Sequence, residues 1–318
     1  MDRRGDRGQI IIVVALVLAT VLVALALILN SAIYTENLST RETTDSGDVA
    51  AEFDTRFAEV ADALTYVNTH HDDSAGTIDE NFTAIADRWA SDVSGQYAMG
   101  GAAVSVTVDE TAAGTVIRQD DASRNFTADG SSDPEWTLAD GVDELSGFEM
   151  TVTRDELAEN HDDAFNVTLN GSSKAWSVYV FNGTTDDEIV VFSGLEQNVD
   201  PDANRCEIEA TDATLDFADQ ALVGADGTIV DCPALAVDDK LNGSVAVEYG
   251  NGDAAVGTYE LFVDGDATIT DEEFADRPDS PYTTDAIVDA DVTVTFHRSD
   301  VRHAQSRTVR AGGLVYRA

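Results

Sequence analysis

FNVTLNGSSKAWSVYVFNGTTDDEIVVF, residues 165–192, decides the fold class. Three runs within it, FNVTL (165–169), AWSVYVF (175–181) and EIVVF (188–192), are rich in β-branched and aromatic side chains and read as strands. The links between them open with Asn170-Gly171 and Asn182-Gly183. Asn and Gly tolerate the positive φ that a tight hairpin turn needs, so the chain is expected to reverse direction twice here. A parallel crossover needs a dozen or more residues, and these links are too short for one. The sheet is therefore read as antiparallel.

Outward from this stretch the same period of two continues. On the N-terminal side AVSVTV (103–108) and FEMTVT (148–153) read as strands. On the C-terminal side SVAVEY (244–249), TYELFV (258–263) and the alternation Val288, Ala290, Val292, Val294, Phe296 do the same, and Asn251-Gly252 reads as a third hairpin turn. Residues 203–241, which hold both cysteines, are the least regular part and read as an insertion or a small lobe. Residues 96–318 are thus expected to form a mostly antiparallel, β-rich domain.

Upstream the period lengthens. Val49, Phe53, Phe57, Val60, Leu64 and Val67 recur at helical spacing, after a break of turn formers at Thr43–Gly47. Thr77-Ile78-Asp79-Glu80 has the form of a capping box, and Ile78, Phe82, Ile85 and Trp89 give a second apolar face. Residues 30–95 are read as a helical stem and helix pair. Two readings of its apolar faces stand: a stalk that packs in a filament, or a cover over this domain's own sheet.

Further upstream, Ile10–Leu29 is twenty residues without a charge, fifteen of them Leu, Ile or Val. At about 1.5 Å per residue such a helix spans roughly 30 Å, the hydrocarbon thickness of a bilayer. Each Leu, Ile or Val favours insertion by about 0.3–0.6 kcal/mol, so the stretch reads as a transmembrane helix contacting membrane lipid. The leader Met1–Gly8 carries Arg3, Arg4 and Arg7, which places the N-terminus in the cytoplasm and the bulk of the chain outside. A cleavable secretory signal is the rival, with Asn30-Ser31-Ala32 as its nearest cleavage site.

Arg7-Gly8-Gln9, followed at once by the apolar run, resembles the class III signal peptide of archaeal type IV pilins and archaellins. The resemblance covers residues 7–37, roughly a tenth of the chain. It implies that a prepilin peptidase cuts between Gly8 and Gln9 and that other pilin-like subunits are partners. It departs from the family at Val13, the fifth residue after the cut, where the family usually has Glu. That departure points to a minor subunit rather than the main filament protein. The segment NSAIYTENLSTRETT (30–44) is also similar to uncharacterised single-pass surface proteins of haloarchaea.

The chain has 61 Asp+Glu against 18 Lys+Arg, a net charge of −43, and only two lysines, Lys174 and Lys240. So acidic a surface repels nucleic acid, and no nucleic-acid partner is expected. With 43% hydrophobic residues in periodic runs, the chain is expected to fold rather than stay disordered. Its Asp-rich, Lys-poor composition resembles that of proteins from salt-loving archaea.

Motifs for chemistry are sparse. The sequence has no Gly-rich phosphate loop, nucleophile elbow or HExxH, and no catalytic residue, cofactor or metal site is assigned. His70-His71-Asp72-Asp73 and His161-Asp162-Asp163 suggest a metal cluster, but neighbours along an element do not face one point. Asp200-Pro201-Asp202-Ala203-Asn204 and Asp264-Gly265-Asp266 copy the start of a calcium loop but lack its Gly and Glu. Cys206 and Cys232 are expected to form a disulfide in an exported region. Seven Asn-x-Ser/Thr sequons, at Asn37, Asn81, Asn125, Asn166, Asn170, Asn182 and Asn242, suggest a glycosylated surface protein. Near the C-terminus Arg298, Arg302, Arg307, Arg310 and Arg317, with His297 and His303, form a basic strip. It could dock an acidic neighbour or pair with the protein's own carboxylates.

The expected class is α+β: a transmembrane helix and helical stem followed by a mostly antiparallel extracellular domain. The expected role is non-enzymatic, a minor pilin-like subunit at the cell surface. A membrane-anchored binding module outside any filament is the first alternative, and a surface hydrolase is the second.

Overall fold

The computed structural model describes residues 51–318 except 52, 71–74, 100–101, 130–131, 184–187, 196–203, 239 and 299–300. Ile10–Leu29, Gly8, Gln9 and Asn37 lie outside the described residues. The chain divides into two units, Met1–Thr55 and Arg56–Ala318. Of the first, only residues 51 and 53–55 are described, and they are helical. Among the described residues no helix is long and apolar enough to cross a membrane.

The second unit opens with α1 (residues 56–70) and α2 (Ala75–Met99). Fifteen strands follow among the described residues. The first six are β1 (Ala102–Gln119), β2 (Trp136–Val142), β3 (Glu144–Thr153), β4 (Phe165–Gly171), β5 (Ala175–Asn182) and β6 (Glu188–Leu195). Next come β7 (Arg205–Glu209), β8 (Asp212–Asp216), β9 (Ala221–Gly224), β10 (Ile229–Asp231) and β11 (Val245–Gly250). The last are β12 (Gly257–Asp264), β13 (Tyr282–Arg298), β14 (Val301–Arg310) and β15 (Leu314–Arg317). All pairings are antiparallel, so the mostly antiparallel, β-rich expectation holds.

The strands form two sheets. One runs β10-β9-β8-β3-β12-β1-β13-β14, with β15 also on β3; the other runs β2-β11-β4-β5-β6-β7. Their inner faces share one core. Ile117, Met150 and Leu261 come from the larger sheet, and Val167, Val178, Val191 and Val247 from the smaller. This is sandwich packing, in which each strand turns alternate residues inward. The core holds an aromatic group in which the Phe126 ring meets Phe165 at 5.0 Å and Tyr259 at 5.3 Å. Trp136 closes it by donating its Nε1–H to the Phe126 carbonyl at 2.9 Å.

The hairpin turns after Asn170 and Asn182 join β4 to β5 and β5 to β6, as their sequence requires. Asn251-Gly252 does not make a hairpin. β11 belongs to the smaller sheet and β12 to the larger, so the chain changes sheets at this point. Asn251 takes a left-handed φ of 53°, which Asn tolerates well. A side chain at Gly252 would come within 2.2 Å of the Phe126 carbonyl oxygen. The same Asn-Gly chemistry thus serves a corner instead of a two-strand reversal.

Residues 203–241 are not a separate lobe. They supply β7 to one sheet and β8, β9 and β10 to the other. Cys206 on β7 and Cys232 just after β10 are joined in a disulfide with Cα atoms 5.3 Å apart, which links the two sheets. Closing a loop of this sequence length restricts the unfolded chain by about 3 kcal/mol.

The helices cover one face of the larger sheet where β1, β13 and β14 extend beyond the sandwich. Phe57, Val60, Leu64 and Val67 of α1 and Ile78, Phe82 and Val93 of α2 are buried, as are Val104, Val106, Val292 and Val294 of the strands. Asn68 fixes α1 to β13: its amide donates to the Ile287 carbonyl at 2.6 Å and accepts from the Ile287 N–H at 2.9 Å. Thr65 Oγ1 accepts from the Gly312 N–H at 2.8 Å. Of the two readings of the helical faces, the cover over the domain's own sheet is the observed one. α2 is described from Ala75, so Thr77–Glu80 lies inside its first turns, where Asp79 accepts from Thr111 Oγ1 at 2.6 Å.

β1 and β13 run from the sandwich into the helix-covered part of the larger sheet, and their pairing slips twice, between Val108 and Glu110 and between Ala112 and Ala113. Just beyond stands Gly114, where a Cβ would lie 2.3 Å from the Val263 carbonyl oxygen. Bulges of this kind bend a strand, and a glycine there admits the neighbouring backbone.

Candidate functional site

The most organised polar group on the molecule follows directly from strand register. Arg118 on β1 stands opposite Glu260 on β12 and Tyr282 on β13. Glu260 stands opposite Glu149 on β3, and Glu149 opposite Asp216 on β8. Inward-facing Ile117, Tyr259, Leu261, Met150 and Leu215 fill the core, so the alternate residues form a row across five strands on the outer face.

The row has two electrostatically different ends. At the β13 end Arg118 Nε donates to Glu260 Oε2 at 2.5 Å. Tyr282 Oη and Ser280 Oγ donate to the two oxygens of Asp120 at 3.1 and 2.6 Å. The Arg277 guanidinium lies 4.7 Å above the Tyr282 ring. At the β8 end Glu149 faces carboxylates. Partial loss of hydration raises its pKa, and the charges of Asp216, Glu260 and Asp219 raise it further. Tyr282 is also raised, mainly by loss of hydration, with Arg118 acting in the opposite direction. Between the ends lies an open depression of about 250 Å³ lined by Arg118, Asp120, Glu149, Thr151, Thr258 and Glu260. Its rim offers one fixed cation, several carboxylates and two hydroxyls, with Met150 and Tyr259 also in the lining.

The residues singled out from sequence are scattered. His161 lies in a short 3-10 turn with Nδ1 3.1 Å from Asp162, and Asn160 caps that turn. His70 stacks on Tyr66 at 4.1 Å. His297 and His303 are exposed on β13 and β14. No group of three His, Cys, Asp or Glu among the described residues could hold a metal. Asp264 accepts from the backbone of Asp143 and Glu144, both at 2.8 Å, so that carboxylate closes a turn. His71–Asp73 and Asp200–Ala203 lie outside the described residues.

The sequons divide by their hydrogen bonds. The Asn125 amide donates to the carbonyls of Asp253 and Ala255 at 2.8 and 3.3 Å, holding the loop before β2 against the corner between β11 and β12. The Asn166 amide packs where a Cβ on Gly250 would have to lie. Asn81 and Asn182 are half-buried. Asn170 and Asn242 are exposed; Asn170 donates to Glu248 at 3.3 Å and Asn242 to the Lys240 carbonyl at 3.1 Å.

The basic strip divides too. Arg310 Nε donates to Glu144 at 2.5 Å and Arg317 lies 3.6 Å from the same carboxylate. Arg307 lies 4.7 Å over the Phe57 ring of α1. Arg302 and His303 are exposed at the far end of β14. Sequence reasoning missed the row through Arg118 and Glu260. Its members are up to 164 residues apart in sequence, and only the pairing register brings them together (Arg118 to Tyr282).

Residues 4–133 match a family of unknown function, DUF7261. The matched segment takes in the apolar stretch, both helices and β1, and ends before β2. No curated protein and no solved structure matches the chain.

Proposed function

We propose that this chain is a non-enzymatic cell-surface protein, a minor pilin-like subunit with its N-terminus in the cytoplasm and its β-rich domain outside. The observation that carries the reading is the fixing of α1. The helix that follows the apolar stretch in sequence is locked to β13 through both backbone groups of Ile287. A membrane-held N-terminal segment and a folded head need such a joint if the head is to be presented in a defined way. The Arg7-Gly8-Gln9 junction before twenty apolar residues adds the processing site. The exposed Asn170 and Asn242 are the sequons best placed for glycans on that head.

The test is the N-terminal peptide of protein extracted from membranes, read by mass spectrometry. A chain that starts at Gln9, or at its cyclised form, is the expected result. Intact Met1 or Asp2 would overturn the pilin-like reading. It would leave a permanently anchored binding module, which the open depression on the outer face favours. A start near Ile33 would mean ordinary secretion.

A further inference from the structure

Among the described residues most open edges are blunted: β15 is four residues long, and β1, which β12 meets only from Gly114 on, slips register twice along its open part and carries Asp109 and Glu110 there. β10 is three residues long. β2 slips register twice against β11. β7 is five residues long and is tied by Cys206 to the opposite sheet. β14 differs on every count. It pairs with β13 over ten residues, Val301–Arg310, without a slip. Arg302, His303, Ala304, Gln305, Ser306 and Arg307 are all exposed, although Arg307 also lies over the Phe57 ring of α1 on the helix side. It contains no proline. A long, regular, open edge offers a row of backbone donors and acceptors to another strand.

Its charge separates a guarded edge from a docking edge. Proteins often place charged residues on an edge so that copies repel one another. In a chain of net charge −43, a carboxylate would do this. Instead residues 301–318 hold four arginines and one histidine and no carboxylate. Arg310 and Arg317 are taken up by Glu144, whereas Arg302 and His303 point into solvent. An arginine edge on an acidic molecule attracts the surfaces that it would need to repel.

We propose that the open edge of β14 docks an extended, acidic segment of another polypeptide by strand addition. Main-chain hydrogen bonds along 302–308 carry the contact, and Arg302 on one face or His303 on the other, according to register, selects carboxylates on the incoming strand. In molar salt the Debye length falls to about 3 Å, which removes long-range attraction but leaves ion pairs in direct contact. The interface therefore remains selective in the medium that the composition suits.

The test uses the full-length chain in detergent and molar KCl, with hydrogen exchange read by mass spectrometry. The probe is a blocked synthetic peptide of alternating Glu and Val, and its control is the Lys–Val counterpart. Slowed exchange confined to 302–309 with the Glu–Val peptide is expected. Arg302→Glu combined with His303→Glu should weaken this binding roughly tenfold while leaving the thermal midpoint unchanged. If the double variant does not fold, His303→Glu alone carries the comparison, with a smaller loss expected. The proposal is overturned by no protection at 302–309, by equal protection from the Lys–Val peptide, or by protection at another edge.

Discussion

Glu149 stands on a face where lost hydration and the charges of Asp216, Glu260 and Asp219 disfavour its ionised form. Folding raises its pKa, first through lost hydration and then through those carboxylates. A carboxyl raised on folding stabilises the fold fully below its unfolded pKa, and that contribution is lost as pH rises through the folded value. Glu149→Gln is therefore expected to raise the thermal midpoint at neutral pH and to leave it unchanged in acid, below the carboxylate range. Melting curves of both proteins across pH check this; an equal shift at both ends would mean that the change acts through packing. Little at this scale was legible in the sequence. Glu149 is one of 61 acidic residues, and nothing local marks it out. Its environment comes from β8 and β12, which meet it only through long-range pairing. Cys206 and Cys232 were legible because a pair with none left over leaves one partner for each.

Most individual elements were legible, because a half-buried strand and an amphipathic helix write their periods into the sequence. Two kinds were not. β7–β10 are three to five residues long, too short for a period to emerge. β14 carries polar residues on both faces, so it lacks the alternation that marks a half-buried strand. Turn chemistry misled once, at Asn251-Gly252, because a positive φ suits a corner between sheets as well as a hairpin. α1 also contains a polar residue that its apolar pattern does not reveal as structural: Asn68 is 2% exposed and satisfies both backbone groups of Ile287. Asn68→Ala would leave a donor and an acceptor unpaired in the interior. The expected cost is roughly 2–3 kcal/mol, read as a lower denaturant midpoint at unchanged slope. A loss confined to the fraying of α1, with the β-domain transition unmoved, would show that the helix is an independent unit.

For the molecule as a whole, the dominant physical term is its charge of −43. Self-repulsion of that size opposes any compact state in dilute salt and is screened when the Debye length shrinks to about 3 Å. The β-domain is expected to unfold cooperatively in molar KCl and to lose stability progressively on dialysis to about 0.1 M. Calorimetry across that range checks it, and equal midpoints at both ends would contradict it. The course of β13 has a mechanical meaning as well. Ile287, where α1 is fixed, lies within a seventeen-residue strand with β1 on one side and the start of the β14 ladder two residues on, at Asp289. Tension arriving through the chain from its N-terminal side meets the packed Phe57, Val60 and Leu64 of α1 before it reaches the Asn68–Ile287 hydrogen bonds. Pulled along the strand, the ladder hydrogen bonds share the load and must fail together, as in shear, whereas a pull at a strand end would open them one at a time. Fixing α1 at Ile287 thus adds contacts that must break before a pull on the N-terminal connection can load the β13 ladder.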